Sequence, residues 1–202
     1  MKKLKTKFYT RNNVLDITRD LLGKILVTNI GGIKTSGRIV ECEAYAGEID
    51  NASHASGGRR TQRTEVIFGH GGTAYIYLCY GIHHMFNVVT NEKDIPHAIL
   101  IRALEPMEGI NEMLQRTGKE QVDKTLTRGP GNVGKALGLH SSLTGFSLQS
   151  EEIFIADDGF RYPDELIKTS PRIGVDYAGE HARWPFRFYI SGHPNVSGKP
   201  RD

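Results

Sequence analysis

The feature that most constrains the fold is a series of strand-like runs joined by short turns in the first half of the chain. The runs are rich in β-branched and aromatic residues and cover residues 24–30, 33–47, 73–90 and 97–106. Helical spacing is confined to short segments at residues 13–23, 107–118 and 131–139. Strands joined by tight turns pair antiparallel, whereas parallel pairs need long crossovers. We therefore predict an α+β fold, in which a curved, mainly antiparallel sheet is surrounded by helices and carries a protruding β-hairpin.

Length and composition describe one ordinary globular domain. The chain has 202 residues and a net charge of +3, a mildly basic balance that permits a polyanionic partner without demonstrating one. No run approaches the ~18 apolar residues of a membrane span. Cys42 and Cys79 lack CxxC spacing, which predicts reduced thiols rather than a disulfide or a metal site. We expect a single domain over residues 1–202, with flexible ends at 1–10 and 196–202.

The run RIVECEAYAG, residues 38–47, places two carboxylates on one face of a strand. Glu41 and Glu43 stand two residues apart, which separates them by about 6.5 Å along a strand. That separation fits the acid and base of an inverting glycosidase. Any half-exposed strand with this spacing produces the same distance, so a solvated or structural role remains open for both residues.

Arg102 is a lone charge in the apolar run HAILIRALEP, residues 97–106. A buried arginine needs a partner, and Glu41, Glu43 and Glu105 are the candidates. The residue is either half of a structural ion pair or an arginine that orients a carboxylate and a water molecule.

Tyrosines mark the predicted hairpin TAYIYLCYGIHHM, residues 73–85. Tyr75 and Tyr77 share one face of the strand, whereas Tyr80 stands beside the turn at Gly81. An exposed aromatic side chain at such a tip suits a wedge inserted between stacked bases. The alternative is that Tyr80 lies flat on a neighbouring loop.

The register of this hairpin decides which residues share a face with the tyrosines. A two-residue turn at 81–82 pairs Tyr77 with Phe86, whereas a three-residue connection at 81–83 pairs Tyr77 with Asn87. A site that contains both Tyr77 and Asn87 requires the second register or a bulge.

Two glycine-rich basic segments could contact phosphate. GGRRTQR, residues 57–63, carries Arg59 and Thr61 among flexible backbone amides, and TRGPGNVGKALG, residues 127–138, carries Arg128 as its second residue. Guanidinium groups, hydroxyls and amides are the usual phosphate ligands. A solvated basic loop is the alternative for each segment.

Several segments together resemble one known family, the alkyladenine (3-methyladenine) DNA glycosylases. The segments that carry the resemblance are RIVECEAYAG, DNASHASGGRRTQR, GTAYIYLCYGIHHMFNV, LIRALEP, GPGNVGKALG and RIGVDYAGEHARWPFRFYISG. They occur in the family's order over nearly the whole chain. His83, His84 and Met85 depart from the apolar or aromatic residues of the family. The resemblance implies a single mixed α and β domain around a curved antiparallel sheet.

The resemblance also implies roles for individual residues. Glu43 matches the catalytic base, and Arg102 matches the arginine that holds the attacking water together with a backbone carbonyl near Ile173. The residues implied to form the pocket of a displaced base are Tyr45, Ala52, His54, Tyr75, Tyr77, Asn87 and Ile173. Tyr80 matches the intercalating residue, and Arg59 and Thr61 match contacts to the DNA backbone, to which we add Arg128.

The implied function is that of a monofunctional DNA glycosylase. It would flip alkylated or deaminated purines (3-methyladenine, 7-methylguanine, hypoxanthine or ethenoadenine) out of duplex DNA and hydrolyse the N-glycosidic bond, leaving an abasic site for base excision repair. The expected partner is double-stranded DNA containing damaged purines. We expect no metal, cofactor, membrane or obligate protein partner, a monomer, and a cytoplasmic location that is nucleoid-associated in a prokaryote.

Two other functions remain open. One is a non-catalytic module that binds lesions or nucleic acid on the same scaffold. The other is a carbohydrate-acting glycosidase that uses Glu41 and Glu43 as its acid and base.

Overall fold

The computed structural model describes residues 1–198 of the chain, and its nine strands within that range form one sheet. The strands are β1 (Lys2–Lys3), β2 (Ile25–Ile30), β3 (Ile33–Tyr45), β4 (Thr73–Cys79), β5 (His83–Thr90), β6 (His97–Glu108), β7 (Ile153–Asp157), β8 (Ile167–Ser170) and β9 (Arg187–Ile190). Their order is β1-β7-β2-β3-β6-β5-β4, and β9 pairs with both β3 and β8. The pairs are antiparallel and the sheet curls into a half-barrel, which confirms the predicted fold class.

Four short helices pack around this sheet in the described residues: α1 (Thr6–Tyr9), α2 (Val14–Leu21), α3 (Ile110–Thr117) and α4 (Pro130–Ala136). Helix α2 begins as predicted, because the Asn13 side chain accepts a hydrogen bond from the Leu15 amide. Its face of Val14, Ile17 and Leu21 is buried in the main core. Helix α2 packs on β3, and α4 packs on β5 and β6. None of the helices in residues 1–198 has the length and apolarity to span a bilayer.

The connection from β3 to β4 contains three 3₁₀ turns at Gly47–Ile49, Ser56–Gly58 and Glu65–Phe68. Successive backbone hydrogen bonds hold these turns, for example from the Ser53 amide to the Asp50 carbonyl and from the Gly58 amide to the Ala55 carbonyl. The connection therefore forms an ordered wall above the second half of β3.

Two irregularities in the pairing of β3 with β6 determine where Arg102 points. The paired residues are Ile39 with Leu104, Glu41 with Ala103, and Cys42 with Ile101. Val40 on β3 and Arg102 on β6 are therefore the extra residues of two adjacent bulges. A bulge re-aims its side chain, and this one directs Arg102 to the face of β3 that carries Glu41 and Glu43.

The β4–β5 hairpin adopts neither of the two predicted registers. The paired residues are Tyr75 with Asn87, Tyr77 with Met85, and Cys79 with His83. The connection is thus three residues long but comprises residues 80–82, and Tyr80 and Gly81 take positive φ angles of 50° and 74°. Tyr75, Tyr77 and Asn87 share one face in this register, as a common site requires.

The first residues of the chain and the segment before residue 198 make packing contacts. Residues 2–3 pair with β7, and Leu4 and Tyr9 lie in the core. Val196 and Ser197 are buried, whereas residues 199–202 of the segment predicted to be flexible lie outside the described range. Strands β1 and β8 were not predicted because two and four residues are too short to show a period.

Candidate active site

Glu43 lies at the centre of the site, near the end of β3. Its side chain is fully buried, which contradicts the interpretation of a solvated strand face. Three donors contact its oxygens: Tyr45 Oη at 2.9 Å and Arg102 Nη1 at 3.2 Å from Oε2, and the Ile173 amide at 2.8 Å from Oε1. Each group donates, so the arrangement suits an ionised carboxylate. Oε1 keeps one acceptor position open because only one donor contacts it.

The sheet explains this burial. Residues 41–43 of β3 pair with β6 on one side and with β9 on the other. The Arg102 side chain approaches from the bulge on β6 and is itself buried. Of the three predicted carboxylate partners, the structure pairs Arg102 with Glu41 and Glu43, whereas Glu105 is exposed and lies 3.9 Å from His193 Nε2.

Glu41 has surroundings different from those of Glu43. Its oxygens accept hydrogen bonds from Arg102 Nε at 3.0 Å, Arg187 Nε at 2.7 Å, Ser197 Oγ at 2.9 Å and the Ser197 amide at 2.6 Å. Glu41 is fully buried, as Glu43 is. This geometry argues against Glu41 as one carboxylate of a glycosidase acid–base pair, because the protein itself occupies its oxygens.

A cavity of about 170 Å³ opens beside Glu43 and reaches the surface. The donors Tyr45, Arg102 and Ile173 line it, so the Glu43 carboxylate lies directly behind its wall. The structure brings all the predicted base-pocket residues to this one cavity. They are Tyr45, Ala52, His54, Tyr75, Tyr77, Asn87 and Ile173, and Tyr80 lies at its rim.

Aromatic rings form one wall of the cavity. The His54 ring packs edge-on against Tyr77 with centroids 4.7 Å apart, and the Tyr75 and Tyr77 rings are 5.5 Å apart. His54 Nδ1 shares a hydrogen bond of 2.8 Å with Tyr75 Oη. Burial, reinforced by the nearby positive charges of Arg63 and Arg59, lowers the pKa of His54 to about 4. The ring is therefore neutral at pH 7 and offers a hydrogen bond rather than a charge.

Tyr45 also lines the cavity, and a buried ion pair supports its ring. The Arg172 guanidinium lies 4.8 Å from the Tyr45 ring centre and is paired with Asp50. Asp50 in turn accepts hydrogen bonds from the amides of Ala46 and Ala52. Burial and the Glu43 carboxylate raise the pKa of Tyr45 well above its ordinary value, so its phenol stays protonated and donates to Glu43.

Asn87 closes the floor of the cavity and is almost fully buried. Its Nδ2 donates to the carbonyls of Tyr75 at 3.2 Å and Met85 at 3.1 Å. These two bonds fix the amide, so the cavity has a rigid polar group at a defined position.

Tyr80 occupies the hairpin tip and is 90% exposed, so it does not lie flat on a neighbouring loop. Ile82, at the other end of the same connection, is 71% exposed. A positive φ is uncommon for a bulky residue such as Tyr80 and is tolerated here in a tight turn. The tip thus presents two apolar side chains to solvent next to the cavity.

A basic groove adjoins the cavity. Arg59, Thr61 and Arg63 line it, and His54 and Tyr177 line both the groove and the cavity. Both predicted phosphate contacts of the GGRRTQR segment, Arg59 and Thr61, thus line the same groove. Arg60 does not line it and forms ion pairs with Glu65 and Asp94. Arg128 lies apart from this groove: its Nε donates to the Val196 carbonyl at 2.8 Å, and its side chain lines a separate hollow.

Arg63 of the GGRRTQR segment also reaches the cavity, because its guanidinium lies 5.0 Å from the Tyr77 ring centre. Other residues of the site were not singled out from the sequence. The exposed Tyr177 donates a hydrogen bond to the Ala52 carbonyl at 3.2 Å. Arg187 is a lone charge in the apolar run FRFYISG, so the argument used for Arg102 identifies it equally well. Ser197 has no sequence signal, because a serine in a polar tail is ordinary.

Within residues 1–198, no group of three or more His, Cys, Asp and Glu side chains is arranged to hold a metal ion. His84, which follows the hairpin tip, contacts residues outside the cavity: its Nδ1 accepts a hydrogen bond from the Ser141 amide, and its ring lies 4.3 Å from that of His140.

Comparison with known proteins places this site in context. The model of the family described as Methylpurine-DNA glycosylase (MPG) matches residues 7–194. A Bacillus cytotoxicus protein, named provisionally as a 3-methyladenine DNA glycosylase, is 46% identical over 199 residues, which cover 94% of this chain and 97% of that protein. Proteins of the same provisional name from Bacillus cereus and Bacillus anthracis are 47% and 46% identical over 200 residues, covering 95% of this chain and 97% of each relative.

Proposed function

The chain belongs to the methylpurine-DNA glycosylase family and acts as a DNA-3-methyladenine glycosylase, and from that premise we propose that Glu43 activates the water that releases a damaged purine from DNA. The observation that carries the proposal is the buried Glu43 carboxylate, paired with Arg102 directly behind an aromatic cavity. General bases need hydrogen-bond reach to the proton that they remove, and the open position on Oε1 points to where the water binds.

The chemical step is a hydrolysis. Water oxygen forms a bond to the anomeric carbon of the deoxyribose, the bond from that carbon to the purine nitrogen breaks, and its electron pair leaves with the base. Glu43 accepts the water proton, while Arg102 and the Ile173 carbonyl orient the water. A methylated cationic purine leaves as a neutral molecule. A neutral purine such as hypoxanthine must gain a proton or hydrogen bond on leaving, for which backbone amides near Ala52 and His54 are the nearest donors.

The cavity selects the base by stacking and shape. Tyr45, His54 and Tyr77 supply aromatic faces, which attract electron-poor alkylated purines. Two hydrogen bonds hold the Asn87 amide in place, so its bulk would collide with the exocyclic amino group of undamaged guanine. We include 3-methyladenine, 7-methylguanine, hypoxanthine and ethenoadenine in the proposed substrate range.

A base inside a duplex is out of reach of this cavity, so the target must be flipped out. Tyr80 is the proposed wedge that fills the vacated space, because it is exposed at a hairpin tip on the rim of the cavity. Arg59 and Thr61 are the proposed contacts to the DNA backbone, because their groove adjoins the cavity. Arg128 lies away from that groove, so its proposed contact is with another part of the duplex.

One chain supplies every residue used in this proposal, so we propose that the protein works as a monomer. The product is an abasic site with an intact strand, because water rather than an amine is the nucleophile. The proposed place of action is the compartment that holds the DNA, which is the cytoplasm in a prokaryote.

The direct test uses duplexes that each carry one of the four damaged bases. We expect the purified protein to release the free base, to leave an alkali-labile but unbroken strand, and to do so equally with and without a chelator. Binding of lesion DNA without base release would instead establish a non-catalytic binding module. Release of sugars from glycosides, abolished in Glu41→Gln, would establish the carbohydrate-acting alternative.

A further inference from the structure

A buried cluster of four charges continues from Glu43 away from the cavity. It contains Glu41, Glu43, Arg102 and Arg187, and Ser197 closes it from the C-terminal segment. The two carboxylates and two guanidinium groups balance in charge, and each of the four side chains is at most 8% exposed. Of these residues, only Glu43 and Arg102 have a part in the mechanism described above.

Arg102 is held on three sides within this cluster. Its Nε donates to Glu41 at 3.0 Å, its Nη1 to Glu43 at 3.2 Å and its Nη2 to Ser197 Oγ at 3.2 Å. A planar guanidinium with partners on all three nitrogens has one orientation. Glu41 and Ser197 supply two of the three contacts, so they determine how Arg102 faces Glu43.

Glu41 must be a carboxylate to do this. Oε1 accepts from Arg102, Arg187 and the Ser197 hydroxyl, and Oε2 accepts from the Ser197 amide. A glutamine in either orientation would turn its own N–H groups toward one of these donors. The substitution keeps the volume of the side chain and removes the match between donors and acceptors.

Stability alone is a weak reason for such a cluster. Burying charged pairs carries a desolvation cost that often equals their attraction, so well-packed apolar residues serve stability as well. Charged groups, unlike apolar residues, form hydrogen bonds with a fixed direction. In this cluster, those bonds fix the orientation of Arg102 and therefore its contact with Glu43.

We propose that Glu41 is a positioning residue for the hydrolysis and that Ser197 acts with it to fix the orientation of Arg102. The buried C-terminal segment that carries Ser197 then contributes to catalysis. The inference rests on the proposed function, because it assigns a task to Arg102. A purely structural role, in which Glu41 merely fastens β9 and the C-terminal segment to β3, is the alternative to be separated by experiment.

A double-mutant cycle separates the two roles. Single-turnover release of methylpurines from methylated duplex DNA is measured for the wild type, Glu41→Gln, Arg102→Lys and the double variant, together with the affinity for that DNA. We expect Glu41→Gln to slow release about 10- to 100-fold with affinity unchanged, because a small misplacement of a catalytic group has that effect. In the Arg102→Lys variant, the same substitution should slow release further by less than about threefold, because Glu41 acts through Arg102.

The control is Asp157→Asn, which removes the partner of the buried Lys24 at 2.9 Å on the far edge of the sheet. It should lower thermal stability and leave the release rate of the folded protein unchanged. If Glu41→Gln does not fold, Ser197→Ala replaces it in the cycle, because it removes two hydroxyl contacts and keeps the backbone contact to Glu41. The expected loss is then about threefold to tenfold.

Wild-type release by folded Glu41→Gln overturns the inference, and so does an equal loss in both backgrounds. A wild-type protein that releases no methylpurine overturns the proposed function and this inference with it. If Glu41→Gln slows release in the otherwise wild-type protein but not in the Arg102→Lys variant, the positioning role is established.

Discussion

At the scale of the residue, the site separates two chemically similar groups, Glu41 and Glu43, by their surroundings. Both lie on the same strand face, but all three donors of Glu43 line the cavity, whereas Arg187 and Ser197, which cover Glu41, do not. Spacing along a strand predicts that two side chains point the same way. It does not predict what another part of the chain places on top of them.

His54 provides a prediction about pH and stability. Its pKa is lowered to about 4 in the fold, whereas an unfolded histidine titrates near 6.5. Between these values the unfolded state binds a proton that the folded state does not, so the free energy of unfolding decreases as the pH falls from about 6.5 toward 4. Above pH 6.5 the residue has no such effect.

His54→Gln should therefore reduce the loss of stability between pH 7 and pH 5 by roughly 1 kcal/mol, a discounted value because the ring is partly exposed. Urea unfolding at both pH values measures this. His97 also has a lowered pKa and is retained in the variant, so a residual slope is expected. An identical pH dependence in both proteins would contradict a neutral, desolvated His54.

At the scale of the element, the β4–β5 hairpin shows how an error of one residue in a predicted turn changes which side chains are expected to face the site. The sequence identifies both strands, but it predicts a connection at residues 81–82 or 81–83, whereas the connection comprises residues 80–82, because glycine at 81 is compatible with each of these turns. The register actually adopted places Tyr80 itself in the connection with a positive φ. Its ring consequently projects to solvent at the rim of the cavity.

The proposed wedge can be tested at this tip. Tyr80→Ala should weaken retention of the flipped base roughly tenfold, because stacking of one aromatic ring contributes about 1–3 kcal/mol. The change in fluorescence of a base analogue beside the lesion reports the flipped state. Tyr80→Phe is the matched control and should retain the signal, since it keeps the ring; equal signals for the wild type and Tyr80→Ala would exclude an intercalating role.

Other elements follow from the sequence to different degrees. Helix α2 was predictable because Asn13 caps it and its apolar residues recur at helical spacing. The bulge at Arg102 was not, because nothing in the run HAILIRALEP marks an extra residue, which arises only from the pairing of β6 with β3. The 3₁₀ turns of the connection after β3 depend on tertiary contacts such as that between Asp50 and Arg172.

At the scale of the whole molecule, the net charge of +3 says less about DNA binding than the location of those arginines that have no carboxylate partner within residues 1–198. Arg59 and Arg63 face the groove, whereas Arg60 is bound to Glu65 and Asp94. Three arginines within five residues look equivalent in the sequence. The fold distinguishes them, because only the ordered connection shows which of them meets a carboxylate.

Arg59→Ala should reduce the slope of log affinity against log salt concentration by about 1, since one phosphate contact is lost. Titrations of duplex DNA at several salt concentrations measure the slope. Arg60→Ala is the neighbouring control and should leave the slope unchanged, because its guanidinium is occupied. The reverse pattern would place the DNA backbone on the other side of this connection.

The family resemblance identified the cavity residues that the structure brings together, and the fold adds the connections among them. Ser197 is an example: nothing in a polar tail predicts that its amide and hydroxyl contact a glutamate 156 residues earlier. Long-range contacts of this kind follow from the packing of the whole chain.

The central claim is that the Glu43 carboxylate activates the hydrolytic water, and one comparison tests it most directly. Single-turnover release of a damaged base is measured for the wild type, Glu43→Gln and the exposed control Glu151→Gln, with folding checked by thermal melts and lesion-DNA affinity measured in parallel. We predict that Glu43→Gln binds lesion DNA with unchanged affinity and releases the base at least about 1,000-fold more slowly, within the range of a lost general base, whereas Glu151→Gln matches the wild type. Release by folded Glu43→Gln within about tenfold of the wild-type rate would contradict the account.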